Sequence, residues 1–225
     1  MRTMIKHDLI IFDCDGVLVD SERLAVRTER EILERLGWSL SESDIVELFV
    51  GRTDVYMQQV IEAQLGRSVD WESEFEAKYR VVFERELVAV AGVEDALDAL
   101  RTASCVASNG SHEIMRLTLG LTNLLHRFPG RVFSAEDVEH AKPAPDVYLH
   151  AAKTLGVAAK RCAVVEDSVS GVTAGVAAGM TVFGFSGSVT RAERLAEAGA
   201  IVFDSMTDLP ALVYASSASP QSKVP

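Results

Sequence analysis

Apolar positions along the chain follow two different rhythms. Short continuous apolar runs recur at Leu9–Phe12, Ser104–Ala107, Cys162–Val165, Thr181–Phe185 and Ala200–Phe203. Runs this short, without polar alternation, suit strands covered on both faces of a parallel sheet. Between the later runs, Gly92–Arg101, Ser111–Leu121, Asp146–Leu155, Val169–Ala178 and Thr190–Ala198 have helical character. From residue 92 onward the alternation predicts an α/β fold built on a doubly wound parallel sheet.

Ser21–Val88 breaks that alternation. Its stretches SERLAVRTEREILERLG, SESDIVELFVG, DVYMQQVIEAQLG and WESEFEAKYRVVFEREL are helical in period and rich in Glu and Arg. Ser41 and Asp44 are candidate N-caps, and Gly37, Gly51 and Gly66 are candidate stops. About four helices without a strand, inserted after the first strand, predict a separate helical lid. The expected division is a core of residues 1–20 and 90–225 and a cap of 21–89. The Ser/Pro-rich end, YASSASPQSKVP, is expected to fray, at least over 215–225.

Composition narrows the function classes. The chain has 225 residues, 48% hydrophobic and 24% charged, and a formal net charge of −11. That composition is globular, and the charge leaves no basic stripe to neutralise nucleic-acid phosphates. No apolar run approaches the ~20 residues that span a bilayer, and Asp8, Asp13 and Asp15 interrupt any signal-peptide apolar region. A cytoplasmic protein with no membrane or nucleic-acid partner is expected, with a monomer favoured. Cys14, Cys105 and Cys162 lack paired spacing and are expected to pack as reduced thiols. The histidines have no zinc-site spacing. Gly171, Gly175 and Gly179 in SGVTAGVAAG are expected to let a helix lie close to the sheet.

The chemistry-bearing residues stand where predicted strands end, which is where ligands bind in open α/β sheets. IIFDCDGVLVD runs from an apolar strand into Asp13, Asp15 and Asp20. CVASNG ends in Ser108, Asn109 and Gly110 before a helix, offering a hydroxyl and free backbone N–H groups to an anion. Lys142 precedes Pro143 on restrained backbone. AVVEDSVSG delivers Glu166 and Asp167 from another apolar strand. A parallel sheet brings these ends to one edge, and with them Asp13, Asp15, Glu166 and Asp167. At an effective dielectric of ~20, each like-charge pair about 4 Å apart costs about 4 kcal/mol. A hard divalent cation relieves this, and oxygen-only ligands point to Mg²⁺. Lys142 and the Ser108 pocket then supply positive potential for a phosphate.

In this order, DCDGVLVD, SN, KP and VVEDS resemble the four motifs of the haloacid dehalogenase superfamily. More narrowly they resemble its phosphatase and phosphomutase branch with a helical cap after the first strand. The resemblance covers nearly the whole chain. It implies a modified Rossmann core and a lid closing over a small phosphorylated metabolite: a sugar, sugar-acid or polyol phosphate. It implies that Asp13 is the nucleophile, forming an aspartyl-phosphate, and that Asp15 is first the general acid and then the base. Ser108, Asn109 and Lys142 would hold the phosphoryl group. Asp13, Asp167 and the backbone carbonyl of Asp15 would bind Mg²⁺, with Glu166 as a further ligand or the holder of a metal-bound water. A dehalogenase of this superfamily needs no metal and lacks the second aspartate, so Asp15 and the acidic pair argue against that chemistry.

The alternative is a β-phosphoglucomutase-like mutase, because FVGRT (Phe49–Thr53) resembles the cap loop of that branch. Arg52 would there set substrate specificity through a distal phosphate or carboxylate. The mutase resemblance also calls for a histidine where this chain has Ala25, which favours hydrolysis. A non-catalytic binding protein on the same fold is less expected, since every motif carboxylate is present.

Overall fold

The computed structural model describes residues 7–215 of the chain. Strands β1 (Leu9–Phe12), β2 (Ala103–Ser108), β3 (Val132–Ser134), β4 (Cys162–Glu166), β5 (Thr181–Phe185) and β6 (Ile201–Phe203) form one parallel sheet. Its order is β3-β2-β1-β4-β5-β6, the predicted doubly wound α/β architecture. β3 escapes the hydropathy pattern because only Val132 and Phe133 are apolar, directly after a Pro-Gly turn.

After β1 the chain forms α1 (Ser21–Leu36), α2 (Glu42–Phe49), α3 (Asp54–Leu65) and α4 (Ala77–Glu86), the last preceded by a π-helical turn at Glu72–Glu76. Ser41 and Asp44 cap α2 reciprocally, Thr53 caps α3, and Gly37 and Gly66 close α1 and α3 in left-handed conformations. These helices bury an apolar cluster of their own, including Val26, Leu33, Ile45, Phe49, Ile61 and Phe75. Trp71, Phe75, Tyr79 and Phe83 recur at helical spacing, and neighbouring rings touch along that face. The two connections to the sheet run side by side. Asp20 N donates to Val88 O at 2.9 Å, and Val90 N donates to Leu18 O at 3.0 Å.

The sheet is covered on both faces, as its unalternating strands require. The pleat sends Ile10 and Phe12 to one face, where α5 (Val93–Ala99), α6 (His112–Leu121) and α10 (Leu209–Ala215) pack. It sends Leu9 and Ile11 to the other, against α7 (Asp146–Thr154), α8 (Val169–Ala177) and α9 (Ala192–Glu197). The end of the chain differs from expectation. Tyr214 and Ala215 belong to α10, and the Tyr214 hydroxyl accepts from Arg101 N at 2.7 Å. The rest of the Ser/Pro-rich stretch lies outside the described residues.

All three cysteines are free and buried, consistent with a packing role. Among the described residues no helix is long and apolar enough to cross a membrane.

Candidate active site

Asp13 and Asp15 follow β1, Ser108 ends β2, and Glu166 ends β4, so they share the carboxyl edge of three neighbouring strands. The strand order reverses direction around β1, and such a reversal opens a crevice for ligands. Lys142 reaches this edge from the loop before α7, through a cis peptide to Pro143. Its ammonium donates to Asp13 Oδ1 and to Glu166 Oε1, each at 2.8 Å, and lies 4.7 Å from the centre of the Tyr148 ring. Burial works against the Lys142 charge, but the Asp13 and Glu166 carboxylates hold it protonated, with its pKa above the ordinary value. Burial first, then the Glu166 charge, pushes Asp13 up to about 7 against the opposing pull of Lys142.

Glu166 is saturated with donors. Besides Lys142, Oε1 accepts from Tyr148 OH at 2.7 Å, while Oε2 accepts from Ser168 N at 3.0 Å and Ser168 Oγ at 2.9 Å. A carboxylate offers about four acceptor sites, so this one is filled. A Cβ at residue 171 would fall 1.6 Å from Glu166 Oε1, so only glycine lets α8 lie against the buried acid. Gly175 likewise admits Val182, within 2.7 Å of the Cβ position. Gly179 departs from the expectation. Nothing lies near it, and its φ of +72° serves the turn after α8.

Asp167 is the opposite case. It is 1% exposed, and neither carboxylate oxygen has a hydrogen-bond partner among the described residues. Burial, followed by the Glu166 and Asp13 charges, drives its pKa well above the carboxylate range. The nearby Ser188 hydroxyl eases that shift without reaching hydrogen-bond geometry. Asp13, Glu166 and Asp167 each place an oxygen within 4.8 Å of the others. A buried carboxylate without donors, in an oxygen-only trio, fits a hard divalent cation.

Two expected members behave differently. The sheet edge was expected to cluster the side chains of Asp13, Asp15, Glu166 and Asp167, but Asp15 is not in the trio. Its Oδ1 accepts from Ser21 Oγ at 2.7 Å, and burial raises its pKa against that bond. Asn109 was expected at the phosphate, yet its side chain is committed to backbone. Nδ2 donates to Gly51 O at 3.1 Å and Lys142 O at 3.2 Å, and Oδ1 accepts from Lys142 N at 2.9 Å. Any phosphate contact by Asn109 falls to its backbone amide. Ser108 is buried, its Oγ accepting from Gly110 N at 3.1 Å.

The same clamp seats the cap. Gly51 has φ +74°, and a Cβ there would lie 2.5 Å from Ser168 Oγ, so the loop after α2 rests directly on the core. Arg80 of α4 donates to Glu113 of α6 at 3.0 Å across the same gap. Between cap and core lies a cavity of about 380 Å³. This is toward the small end of the ~300–1,000 Å³ common for ligand pockets. Asp13, Asp15, Ser108 and Lys142 form its floor; Glu22, Ala25, Glu29, Arg52, Asp54 and Tyr79 are among its cap-side lining. Arg52 is exposed, its guanidinium 5.1 Å from the centre of the Tyr56 ring.

Sequence reasoning did not find Tyr148, the Asn109 clamp or the pairing of Glu29 with Tyr79. Tyr148 offered a weak signal, an aromatic hydroxyl in the first turn of the helix after Lys142. Glu29 and Tyr79 offered none, because a Glu on α1 and a Tyr on α4 read as ordinary surface positions.

The haloacid dehalogenase-like hydrolase family model matches residues 7–179. The 6-phosphogluconate phosphatase of Escherichia coli K12 is 34% identical over 185 residues, covering 81% of this chain and 84% of that protein. Hexitol phosphatase B from the same strain is 31% identical, covering 76% of this chain and 79% of its own length. A haloacid dehalogenase-like protein of unknown function from Agrobacterium tumefaciens superposes with a TM-score of 0.83 at 37% identity, covering 94% of this chain and all of that one. The strand-end carboxylates, the buried lysine and these likenesses agree: the chain belongs to the haloacid dehalogenase-like hydrolase family.

Proposed function

We propose that the protein is a Mg²⁺-dependent phosphatase hydrolysing a small sugar, sugar-acid or polyol phosphate through an aspartyl-phosphate on Asp13. The observation that carries this is the contrast between two buried acids at one cavity floor. Asp13 is held by Lys142, while Asp167 beside it has no partner among the described residues. The names of the two curated relatives support the phosphosugar class.

Lys142 orients the Asp13 carboxylate for attack on phosphorus. Ser108 Oγ and the Lys142 ammonium hold the transferring oxygens, and Asp15 gives its proton to the departing alkoxide. The P–O bond to the alcohol breaks as the Asp13–phosphoryl bond forms. Asp15 then takes a proton from the water that cleaves that bond, releasing phosphate and restoring both acids. Asp13 and Asp167, with the Asp15 carbonyl, would hold Mg²⁺. That ion, when bound, supplies the positive charge that offsets the phosphate dianion. Glu166, already filled with donors, holds Lys142 and would meet the metal only through water. The helices of residues 21–89 act as a cap domain that closes to exclude bulk water, with the paired connections at residues 18–20 and 88–90 as its hinge. Ala25 on the cavity wall has no group to gate a bisphosphate intermediate, so hydrolysis is favoured over mutase transfer.

The test is a panel of phosphorylated metabolites incubated with purified protein and Mg²⁺, measuring inorganic phosphate. Release from at least one sugar-type monophosphate, abolished by EDTA, is expected. A panel with no turnover, or turnover that survives exhaustive chelation, sinks the reading. Glucose 6-phosphate formed from β-glucose 1-phosphate and trace bisphosphate faster than any phosphate release would establish the mutase instead.

A further inference from the structure

The far end of the cavity, away from Asp13, is built of acceptors. Glu22 and Glu29 on α1, Asp54 at the start of α3 and Glu76 just before α4 all line it. Glu29 is 7% exposed. One of its oxygens accepts from Tyr79 OH at 2.8 Å, and the other has no partner among the described residues. The side chains of Glu22, Asp54 and Glu76 accept no hydrogen bond from the described residues either. The lining cations do not balance them: Arg80 is bonded to Glu113, and Arg52 is exposed over Tyr56. Glu29 is the buried member of this wall, Glu22 is half-buried, and Asp54 and Glu76 are exposed. A ligand that displaces water here must bring donors, because a buried acceptor left without one is costly.

We propose that this carboxylate wall selects the substrate's tail, accepting an uncharged chain of hydroxyls, as in a hexitol or aldose phosphate, and rejecting a tail that ends in a carboxylate. The inference rests on the phosphatase reading and narrows it. Hydroxyls can donate to Glu29, to Asp54 and to the Tyr79 oxygen, whose own proton is given to Glu29; a carboxylate has no proton to donate and adds negative charge to an acidic wall. Glu29 and Asp54 already resist ionisation. Burial pushes Glu29 up to about 7, and burial with the Asp15 and Glu76 charges raises Asp54 to about 6, although Asp54 keeps open contact with water along the wall. A site whose polar groups are arranged for hydroxyls discriminates strongly against analogues that cannot supply them.

The test compares six-carbon monophosphates differing in the tail: sorbitol 6-phosphate, glucose 6-phosphate, 6-phosphogluconate and glucosamine 6-phosphate. Phosphate release by the full chain with Mg²⁺ gives kcat/KM, and calorimetry with the Asp13→Asn variant gives affinity without turnover. At least ten-fold preference for a hydroxyl tail over 6-phosphogluconate is expected in both. Glu29→Gln and Asp54→Asn, with unchanged circular dichroism, should each narrow that gap at least three-fold. Equal or better handling of 6-phosphogluconate, or an unchanged gap in both variants, overturns the proposal. So does a ten-fold preference for glucosamine 6-phosphate, which would make the wall a cation site. If no phosphate is released from any compound, including acetyl phosphate, the phosphatase reading fails. The affinity order on Asp13→Asn still decides the tail, and absence of binding by the hydroxyl compounds counts against it.

Discussion

On the cavity floor, Asp13 and Glu166 share the Lys142 ammonium, and Glu166 takes three further hydrogen bonds from Tyr148 and Ser168. On the cap wall, Glu29 takes one hydrogen bond from Tyr79, and its acidic neighbours take none among the described residues. Both regions concentrate acidic groups, the floor away from bulk water and the wall partly open to it. The floor carries its own compensation except at Asp167, where the proposed cation would complete it. The wall carries almost none, and in the proposed reading substrate hydroxyls supply the donors that water supplies in the free protein. The two differ in what they are arranged to receive, and each difference can be tested.

The floor predicts the largest effect. Asp13→Asn removes the attacking oxygen with almost no change in volume, and kcat should fall by about four orders of magnitude or more. A normal circular-dichroism spectrum and mass spectrometry excluding deamidation must accompany the measurement. Substantial turnover in that verified variant would remove Asp13 from the nucleophile role.

Chelation comes next, because it acts on the one acid the floor leaves unpartnered. EDTA should bring activity to background, and Mg²⁺ should restore it. Saturating Mg²⁺ at about a hundred times its Kd should stabilise the wild type by about 2.7 kcal/mol, read as a rise in Tm. Asp167→Asn should lose that rise and, without metal at neutral pH, should be more stable than the wild type, since folding no longer has to protonate a buried acid that ionises freely in the unfolded chain. A full Mg²⁺-dependent Tm shift in Asp167→Asn would mean that the ion binds elsewhere.

The contact between wall and floor predicts an intermediate effect. Gly51→Ala puts a Cβ 2.5 Å from Ser168 Oγ at a residue with φ +74°, so the cap loop cannot seat as it does here. Gly51 itself belongs to none of the three apolar clusters, although its neighbour Val50 packs against that of the inserted helices, and global stability should change little. kcat/KM should fall by roughly ten- to a hundred-fold, as displacements near 1 Å at a reacting site do. Wild-type kinetics in this variant would separate cap seating from catalysis.

The two regions also differ in how far their sequence announces them. Asp13, Asp15, Ser108, Glu166 and Asp167 each follow a short apolar run, and a parallel sheet gathers such ends on one edge. Their convergence therefore follows from topology alone, and the sheet shows it, with Asp15 turned aside to Ser21. Glu29 and Tyr79 lie on different helices 50 residues apart, and only the packing of α1 against α4 makes them partners. Along α1, Glu29 sits among Arg27, Arg30 and Glu31 and reads as part of a solvated face. Periodicity assigns a residue to a helix face, but which face meets a cavity depends on neighbouring helices that local sequence does not encode. β3 and α10 were missed for a related reason, being too short to show a period.

The smallest predicted effect concerns the wall alone and is one of stability. Burial, opposed by the Tyr79 hydrogen bond and assisted by the Asp54 charge, raises Glu29 from 4.5 to about 7. In the folded protein this carboxyl therefore keeps its proton up to a higher pH than in the unfolded chain. Between those two values the folded state binds more protons, so stability falls as pH rises through the window and levels off above it. Glu29→Gln keeps an oxygen for the Tyr79 hydroxyl and never ionises, so the variant lacks this loss. At pH 5 the two proteins should melt within a few degrees of each other. By pH 8 Glu29→Gln should be the more stable by about 1–3 kcal/mol, a Tm difference of roughly 2–10 °C for a chain of this length. The measurement is paired thermal melts without metal from pH 4.5 to 8, so that the floor contributes equally to both proteins. A Tm difference that does not grow with pH would show that Glu29 ionises at its ordinary value. The wall would then be an ordinary wet surface and not an acceptor site waiting for hydroxyls.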